Sequence, residues 1–236
     1  LQFDLSALMG TYELTMTSYV SKDGKKGFFE NTRTARLRYA GSGANRKFYL
    51  NVHSAYGSDY IFPLTYVASA NAFLMQGGQK VMTFQGNNVS YNIGNAFNID
   101  EKSGTGTGTG AYNLISFTIA DNGDISASLC GPLFSISNGQ VQYTGLTTER
   151  IMLWAYTGEP FTSENLAGWW DYWINPVMTK KATASPAKPS ILPEESFDNT
   201  ASVLMPQYLP NRVARFDVDW NSFLTTSTAS QVKLNK

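Results

Sequence analysis

The sequence predicts an all-β protein, and three observations support that prediction. Apolar and polar residues alternate along many short segments, as they do in half-buried strands. Turn signals separate those segments, and the Asn138-Gly139 pair is the strongest of them. Only one stretch, residues 161–176, has helical periodicity. We therefore predict an antiparallel β-barrel or sandwich of about nine or ten strands, with one short α-helix towards the C-terminal side and a proline-rich extended arm.

The composition narrows the class of protein. A chain of 236 residues allows one large all-β domain or two small ones, and it can bury a real core. Acidic and basic residues balance at 18 each, so the composition gives no signal for nucleic acid binding. Only 15% of the residues are charged, a profile common in secreted and surface β-proteins. Cys130 is the single cysteine, which excludes an intramolecular disulfide.

We expect the protein to lie outside the cytoplasm, on the basis of its composition and of a targeting segment expected upstream of Leu1. The sequence contains no apolar run of about 18 residues, so we predict no transmembrane segment. It starts at Leu1 with neither an initiator Met nor a signal peptide. We interpret this as a mature or trimmed chain whose targeting segment, and any lipid anchor, lies upstream of Leu1. The expected location is secreted or on the outer cell surface.

The first half of the chain is predicted to consist of strands. Residues 10–20 alternate cleanly, with Tyr12 and Leu14 on one face and threonines on the other. Asp23-Gly24 then predicts a tight turn. Further strands are predicted at 34–39, at 48–53, at 60–69 (an edge or a bulge because of Pro63), at 72–76 and at 79–85, with a hairpin at Gly77-Gly78.

A polar, glycine-rich segment at 86–110 separates the two halves. Its GTGTGTG run lacks the lysine and the spacing of a phosphate-binding loop, and a strand follows it where such a loop needs a helix. We therefore predict a mobile loop. Strands resume at 112–120, 124–130, 133–137, 140–146 and 148–156.

The predicted helix spans 162–174. Thr162 is a suitable N-cap, and Pro176 ends the pattern because it disfavours helical geometry at the preceding residue. Asp171 and Tyr172 point away from the apolar face and are expected to be exposed. Helical spacing places on that face Leu166, Trp169, Trp170, Trp173 and Val177.

The C-terminal part is predicted to be an arm followed by a strand. Prolines recur along 177–211, and a compact domain rarely contains so long an irregular loop. Alternation returns at 212–223, which we interpret as a final strand. The predicted domains are therefore 1–176 with the barrel and the helix, 177–211 with the arm, and 212–236 with the final strand and tail.

The chain resembles the lipocalin, or calycin, family in outline. Lipocalins carry a Gly-x-Trp signature in the first strand, where this chain has Gly10-Thr11-Tyr12. Ser58-Asp59-Tyr60 looks like the family's Thr-Asp-Tyr motif but comes early in the chain, and Arg150 opens the last strand where the family's arginine closes it. The resemblance covers residues 8–175 and extends to calycin-like lipoproteins of gut bacterial surfaces. It implies a barrel with a ligand cavity or a surface role, and no shared catalytic machinery.

The sequence contains few of the residues that catalytic and metal sites need. His53 is the single histidine, and its segment gives no sign of a triad, so we predict no catalytic residue and no cofactor. Zinc sites with several His or Cys ligands are excluded by the counts. Asp217-x-Asp219-x-Asn221 resembles the start of a calcium loop, but Ser222 replaces the required glycine, so we predict no metal site.

The leading functional prediction is a non-enzymatic ligand-binding module for a glycan or a small apolar ligand. Aromatic residues make up 14% of the chain, and such rings stack on sugars or line apolar pockets. The predicted binding residues are Tyr49, His53, Trp170 and Tyr172, whereas Trp169 and Trp173 are assigned to the core. One alternative is an adhesion protein that self-associates through residues 178–223. Another is a carboxylate-based glycan hydrolase, whose paired acids need not be close in sequence.

Overall fold

Thirteen β-strands and three short 3-10 turns make up the computed structural model, which describes residues 5–86, 88–97, 110–138 and 140–183. The 3-10 turns lie at Leu5–Leu8, Gly43–Asn45 and Ser163–Asn165. The strands are β1 (Gly10–Lys22), β2 (Lys25–Ala40), β3 (Lys47–His53), β4 (Asp59–Val67), β5 (Ala72–Gln76), β6 (Lys80–Gln85), β7 (Ser90–Phe97), β8 (Tyr112–Ile119), β9 (Ile125–Ser128), β10 (Pro132–Ser137), β11 (Gln140–Thr147), β12 (Arg150–Tyr156) and β13 (Leu166–Lys180).

The strands form one antiparallel sheet that closes on itself. Hydrogen-bonded pairs run in the order β1, β2, β3, β4, β5, β8, β9, β13 and back to β1. Two further groups of strands extend the sheet from this ring. The first half of β13 pairs with β12, which pairs with β7, and β7 pairs with β6. On the other side, β8 pairs with β10, and β10 pairs with β11. The predicted all-β class is confirmed, and the ring-like closure makes the fold barrel-like.

The interior of the ring is filled with side chains. Along β1 and β2 the apolar residues alternate inwards, as the sequence predicts, and Tyr12 donates its hydroxyl to the carbonyl of Leu8 at 2.6 Å. A smaller second core lies between β10 and the outer face of β5 and β8. The largest fully buried side chains include Trp173, Tyr12, Tyr60, Tyr156, Phe62, Phe73, Phe97 and Phe134.

The predicted helix at 162–174 is wrong, because this segment forms a short 3-10 turn and then β13. Tryptophan and tyrosine suit a strand at least as well as a helix. Three extra residues on β13, relative to β12 and β1, interrupt the two-residue alternation. The resulting pattern of tryptophans imitates a helical face. Thr162 does precede a turn of 3-10 helix, and its backbone N–H donates to Oδ1 of Asn165 at 3.0 Å.

Other boundaries also differ from the sequence prediction. The sheet has thirteen strands where about nine or ten were expected, and β13 continues through Pro176 to Lys180, so residues 177–180 belong to the sheet and not to an arm. Gly77-Gly78 is not a hairpin, because β5 pairs with β4 and β8 whereas β6 pairs with β7. Residues 90–97 of the predicted glycine-rich loop form β7, which pairs with β6 and β12, so this part of the loop prediction is wrong. Residues 98–109 of that loop, residues 184–211 of the predicted arm and the predicted strand at 212–223 lie outside the described residues.

Two predicted turns are confirmed. Asp23 and Gly24 have φ of 51° and 75° and join β1 to β2, and Asn138, with φ of 52°, ends β10 before its partner β11. Pro63 lies opposite Tyr49 of β3, and the pairing of β4 with β5 begins only at Leu64. The proline therefore occupies a local edge, as expected. Within the described ranges, no helix is long and apolar enough to cross a membrane.

Buried tyrosines are expected to make the fold sensitive to alkaline pH. Burial raises the pKa of Tyr66 to about 12 and also raises the pKa values of Tyr12 and Tyr60. Unfolded tyrosine ionises near pH 10. Stability that is complete below about pH 10 should therefore be lost as the pH rises towards about 12, because the unfolded state releases its protons first. Urea unfolding midpoints should therefore stay level up to about pH 9 and fall between about pH 10 and about pH 12.

The ammonium group of Lys180 changes the stability with pH in the direction opposite to the tyrosines. The variant Tyr66→Phe separates the tyrosine contribution from that of Lys180. Burial lowers the pKa of its ammonium group, which donates to the carbonyls of Ala7 and Met9 at 2.6 and 2.8 Å. Its contribution to stability therefore rises as the pH passes through the lowered pKa, and it stops changing above about pH 10.4, where unfolded lysine also loses its proton. Tyr66→Phe should make the alkaline loss shallower than in the wild type. A midpoint that stays constant up to about pH 11 would contradict the assignment to tyrosine.

Candidate functional site

The rings of Phe28 and Trp169 both contact the ring of Tyr19 on the outer face of the sheet. Tyr19 of β1 lies directly opposite Phe28 of β2, a register fixed by the Asp23-Gly24 turn, and their ring centroids are 5.4 Å apart. The ring of Trp169, on β13, lies 5.2 Å from that of Tyr19. The side chains of Tyr19, Phe28 and Trp169 are 41%, 50% and 47% exposed. We call these three residues the aromatic platform.

Tyr172 supports the aromatic platform from below. It is only 7% exposed, and its ring meets those of Phe28 and Trp169 edge-on at 5.4 and 5.9 Å. Its hydroxyl accepts a hydrogen bond from Nη1 of Arg150 at 2.7 Å, and the guanidinium carbon lies 5.9 Å from the ring centroid. The predicted binding residue Tyr172 is therefore a buried support for the platform, and the predicted core residue Trp169 is part of its surface.

Neighbouring indoles on β13 face opposite sides of the sheet. One extra residue, Trp170, separates the partners of Leu153 and Trp154 in β12, so Trp170 turns inwards while Trp169 points out. The Trp170 ring packs against Tyr56 at 4.5 Å and Phe84 at 5.0 Å. Its Nε1 is buried and has no hydrogen-bond acceptor among the described residues. The predicted binding residue Trp170 thus belongs to a cluster that borders the core.

Tyr49 and His53 share a different part of the outer face, on β3. The guanidinium carbon of Arg38 lies 4.5 Å from the Tyr49 ring centroid, and its Nε donates to Oδ1 of Asn51 at 2.9 Å. His53 Nδ1 lies 3.2 Å from Oδ1 of Asp59, and both side chains are exposed. The structure therefore brings Tyr49 and His53 onto one face but keeps them apart from Trp170 and Tyr172.

A buried ion pair crosses the interior beneath β13. Arg33 of β2 donates from Nη1 and Nη2 to the two carboxylate oxygens of Asp171 at 2.5 and 3.2 Å, and the two side chains are 9% and 6% exposed. Tyr60 of β4 donates its hydroxyl to the same carboxylate at 3.0 Å. Burial first, and the Asp171 charge second, raise the pKa of Tyr60. The expectation that Asp171 is exposed is wrong, because the bulge at Trp170 turns it inwards.

The described residues offer little for metal or nucleophilic chemistry. Within them, no group of three or more His, Cys, Asp or Glu side chains could hold a metal ion. Burial raises the pKa of the Cys130 thiol, so the thiol stays protonated near neutral pH and is a poor nucleophile. Asp171 is engaged by Arg33 and Tyr60 inside the ring, where it is not accessible as a general acid.

The sequence carries a signal for two platform residues that were not among the predicted binding residues. Tyr19 falls on the polar, threonine-bearing face of the first strand, so alternation alone marks it as an exposed aromatic. A two-residue turn at Asp23-Gly24 places Phe28 opposite it. Trp169 could not be found in this way, because its orientation depends on a bulge.

The described part of the chain has three main features, which are an exposed aromatic platform, a polar face around Tyr49 and an interior packed with side chains. Comparison of the chain with models of protein families, with curated proteins and with solved structures finds no match.

Proposed function

We propose that this protein is a secreted or cell-surface, non-enzymatic module with a calycin-like barrel that binds a glycan on its aromatic platform. The observation that carries this proposal is the contact among three half-exposed rings on one outer face. Leaving such rings in water forgoes the free energy of burying them, on the order of 1.5–3 kcal/mol for a large side chain. A contiguous aromatic surface of this kind is typical of a binding site.

The surroundings of the aromatic platform suit a sugar. The apolar C–H face of a pyranose ring can stack on an aromatic ring, while its hydroxyls need hydrogen-bonding partners at the edge. Thr17 and Glu30 are cross-strand neighbours on one side of the Tyr19–Phe28 pair, and Ser21 and Lys26 are neighbours on the other. Such polar groups can donate to and accept from hydroxyls around a stacked ring.

A small apolar ligand inside the ring fits the structure less well than a glycan outside it. Trp173, Tyr60 and Phe62 pack against one another, with ring centroids 5.8 and 5.6 Å from that of Trp173. All three side chains are fully buried or nearly so. A ligand would have to displace well-packed side chains, and overpacking a filled core is destabilising.

Trp169→Ala is expected to weaken glycan binding about tenfold, because the stacking of one ring is worth about 1–1.5 kcal/mol. Isothermal titration calorimetry against a panel of soluble oligosaccharides would measure the change. Trp169→Phe keeps a ring and should retain most of the affinity. Tyr143→Ala removes an equally exposed aromatic from β11 and should leave binding unchanged.

The proposal fails on either of two results. Absence of saturable binding by the wild type to every oligosaccharide in the panel would exclude the function. Equal affinity of the wild type and Trp169→Ala would show that the aromatic platform is not the site. Equal losses in Trp169→Ala and Tyr143→Ala would point to a general effect of removing surface aromatics.

A further inference from the structure

We propose that the outer face of β2 and β3 is a second site on this protein, which binds the carboxylate of an acidic sugar such as a uronate. It is built around Arg36 and Arg38 of β2 with Lys47 and Tyr49 of β3, and we call these four residues the cationic face. The choice of a sugar as ligand rests on the glycan-binding function proposed above. The site itself rests on separate observations.

The strand register brings the charges of the cationic face together. Arg38 lies opposite Tyr49, and Arg36 lies opposite Asn51. Residues two apart on a strand point to the same side about 7 Å apart, so the two guanidinium groups are neighbours. Lys47 precedes Tyr49 by two positions and belongs to the same outer row. A ligand group placed over Tyr49 would therefore have three cations around it.

Arg38 is held in position without a carboxylate partner. Its guanidinium stacks on the Tyr49 ring at 4.5 Å, and only its Nε is used, in the bond to Asn51. Within the described ranges, Arg36, Arg38 and Lys47 form no ion pair. A planar guanidinium whose Nη donors remain available matches the two oxygens of a carboxylate. Because stacking already fixes Arg38, less side-chain entropy is lost when it binds.

The other groups on this surface favour a sugar over a membrane or a nucleic acid. Asn51 offers an amide beside the arginines, and its Nδ2 makes only a 3.4 Å contact with Asp59. On the adjacent β4, Ile61 and Pro63 lie opposite Asn51 and Tyr49 and form an apolar border. The three cationic side chains of this face can balance the charge of one or two carboxylates. A chain with formal net charge +0 has no long-range attraction for a long, densely charged polymer such as duplex DNA.

The cationic face lies far from the aromatic platform. Phe28 and Arg36 are on the same side of β2 and eight residues apart, which corresponds to about 27 Å. Glu30, Thr32 and Thr34 occupy the outward positions between them. A substitution at one site should therefore leave ligand binding at the other unchanged, so the two sites can be tested separately.

The experiment compares an oligogalacturonate with its methyl ester, which keeps the sugar rings and removes the charges. Calorimetry on the full chain at low salt should show that the wild type binds the acid on the order of tenfold more tightly than the ester, the effect expected of a charge-assisted hydrogen bond. Arg38→Gln should abolish that preference. Arg36→Gln, an exposed position, should reduce it and provides the test if Arg38→Gln does not fold. Lys25→Gln removes the same charge at the tip of the β1–β2 hairpin and should keep the full preference.

The outcomes separate this inference from the proposed function. Equal binding of acid and ester by the wild type, or an unchanged preference in Arg38→Gln and Arg36→Gln, would overturn the acidic-sugar site while leaving glycan binding standing. Loss of preference in Lys25→Gln as well would show a general charge effect and would also overturn it. Binding of a short DNA duplex as tightly as the oligogalacturonate would exclude a sugar-specific site. Failure of the wild type to bind either sugar would overturn the acidic-sugar site, whereas glycan binding on the aromatic platform is decided by the oligosaccharide panel.

Discussion

Replacing Asp171 with alanine is expected to lower the free energy of unfolding by about 3–5 kcal/mol. The substitution leaves the Arg33 guanidinium inside the ring without its carboxylate, and it removes the acceptor of the Tyr60 hydroxyl. A buried charge that has lost its partner carries a desolvation cost that nothing offsets. The loss is a large part of the roughly 5–15 kcal/mol that holds a typical domain together. Urea denaturation followed by circular dichroism would measure it.

The controls for this prediction test whether the cost comes from the unpaired charge. Lys80→Ala breaks the exposed pair with Glu159, in which both side chains are about half exposed, and should have a much smaller effect. The double variant Arg33→Met, Asp171→Leu removes both charges and should recover much of the stability lost in Asp171→Ala. An Asp171→Ala variant as stable as Lys80→Ala would contradict the placement of this pair in the interior.

Trp173→Ala is expected to cost about 3–5 kcal/mol, the range for removing a large aromatic side chain from a core. Trp173 is fully buried and contacts Tyr60 and Phe62, so alanine leaves a cavity that neighbouring strands cannot fill. Trp169→Ala, four residues earlier on the same strand, should cost much less because that ring is 47% exposed. Both values would come from urea denaturation of the two variants under identical conditions.

This pair of variants also separates a strand from a helix. A helix would place Trp169 and Trp173 on one buried face, so both substitutions would be costly. The strand with its bulge at Trp170 makes their costs very different. Equal destabilisation by the two substitutions would contradict the structure of β13. Tryptophan fluorescence should agree, since the loss of Trp169 removes an exposed emitter and the loss of Trp173 removes a buried one.

Local sequence signals were sufficient for the first half of the ring. The alternation of Tyr12, Leu14 and Met16 predicts which side of β1 faces inwards, and the Asp23-Gly24 turn fixes its register with β2. These features depend on residues close together in the chain, where period and turn chemistry are reliable guides. The same alternation accounts for Tyr49 and His53, which lie on the outer side of β3 in the structure.

The second half could not be predicted because its pattern depends on partners distant in sequence. A bulge arises where two strands of unequal residue count must stay paired, and the sequence of β13 alone does not reveal the register of β1 or β12. The Arg33–Asp171 pair spans 138 residues. No local rule connects two such residues, so the sequence could indicate neither the ion pair nor the inward turn of Asp171.

The hydrogen bonds of Lys180 have a consequence for how the molecule can be presented. They hold the end of β13 against the carbonyls of Ala7 and Met9, so the two ends of the described barrel meet at one pole. Tyr19 lies nine residues further along β1 than Gly10, which places the aromatic platform about 30 Å away, towards the opposite pole. A polypeptide joined at either end would therefore leave on the side remote from the rings. A barrel held at these two ends would turn the aromatic platform outwards, open to large polymers that a recessed cavity would exclude.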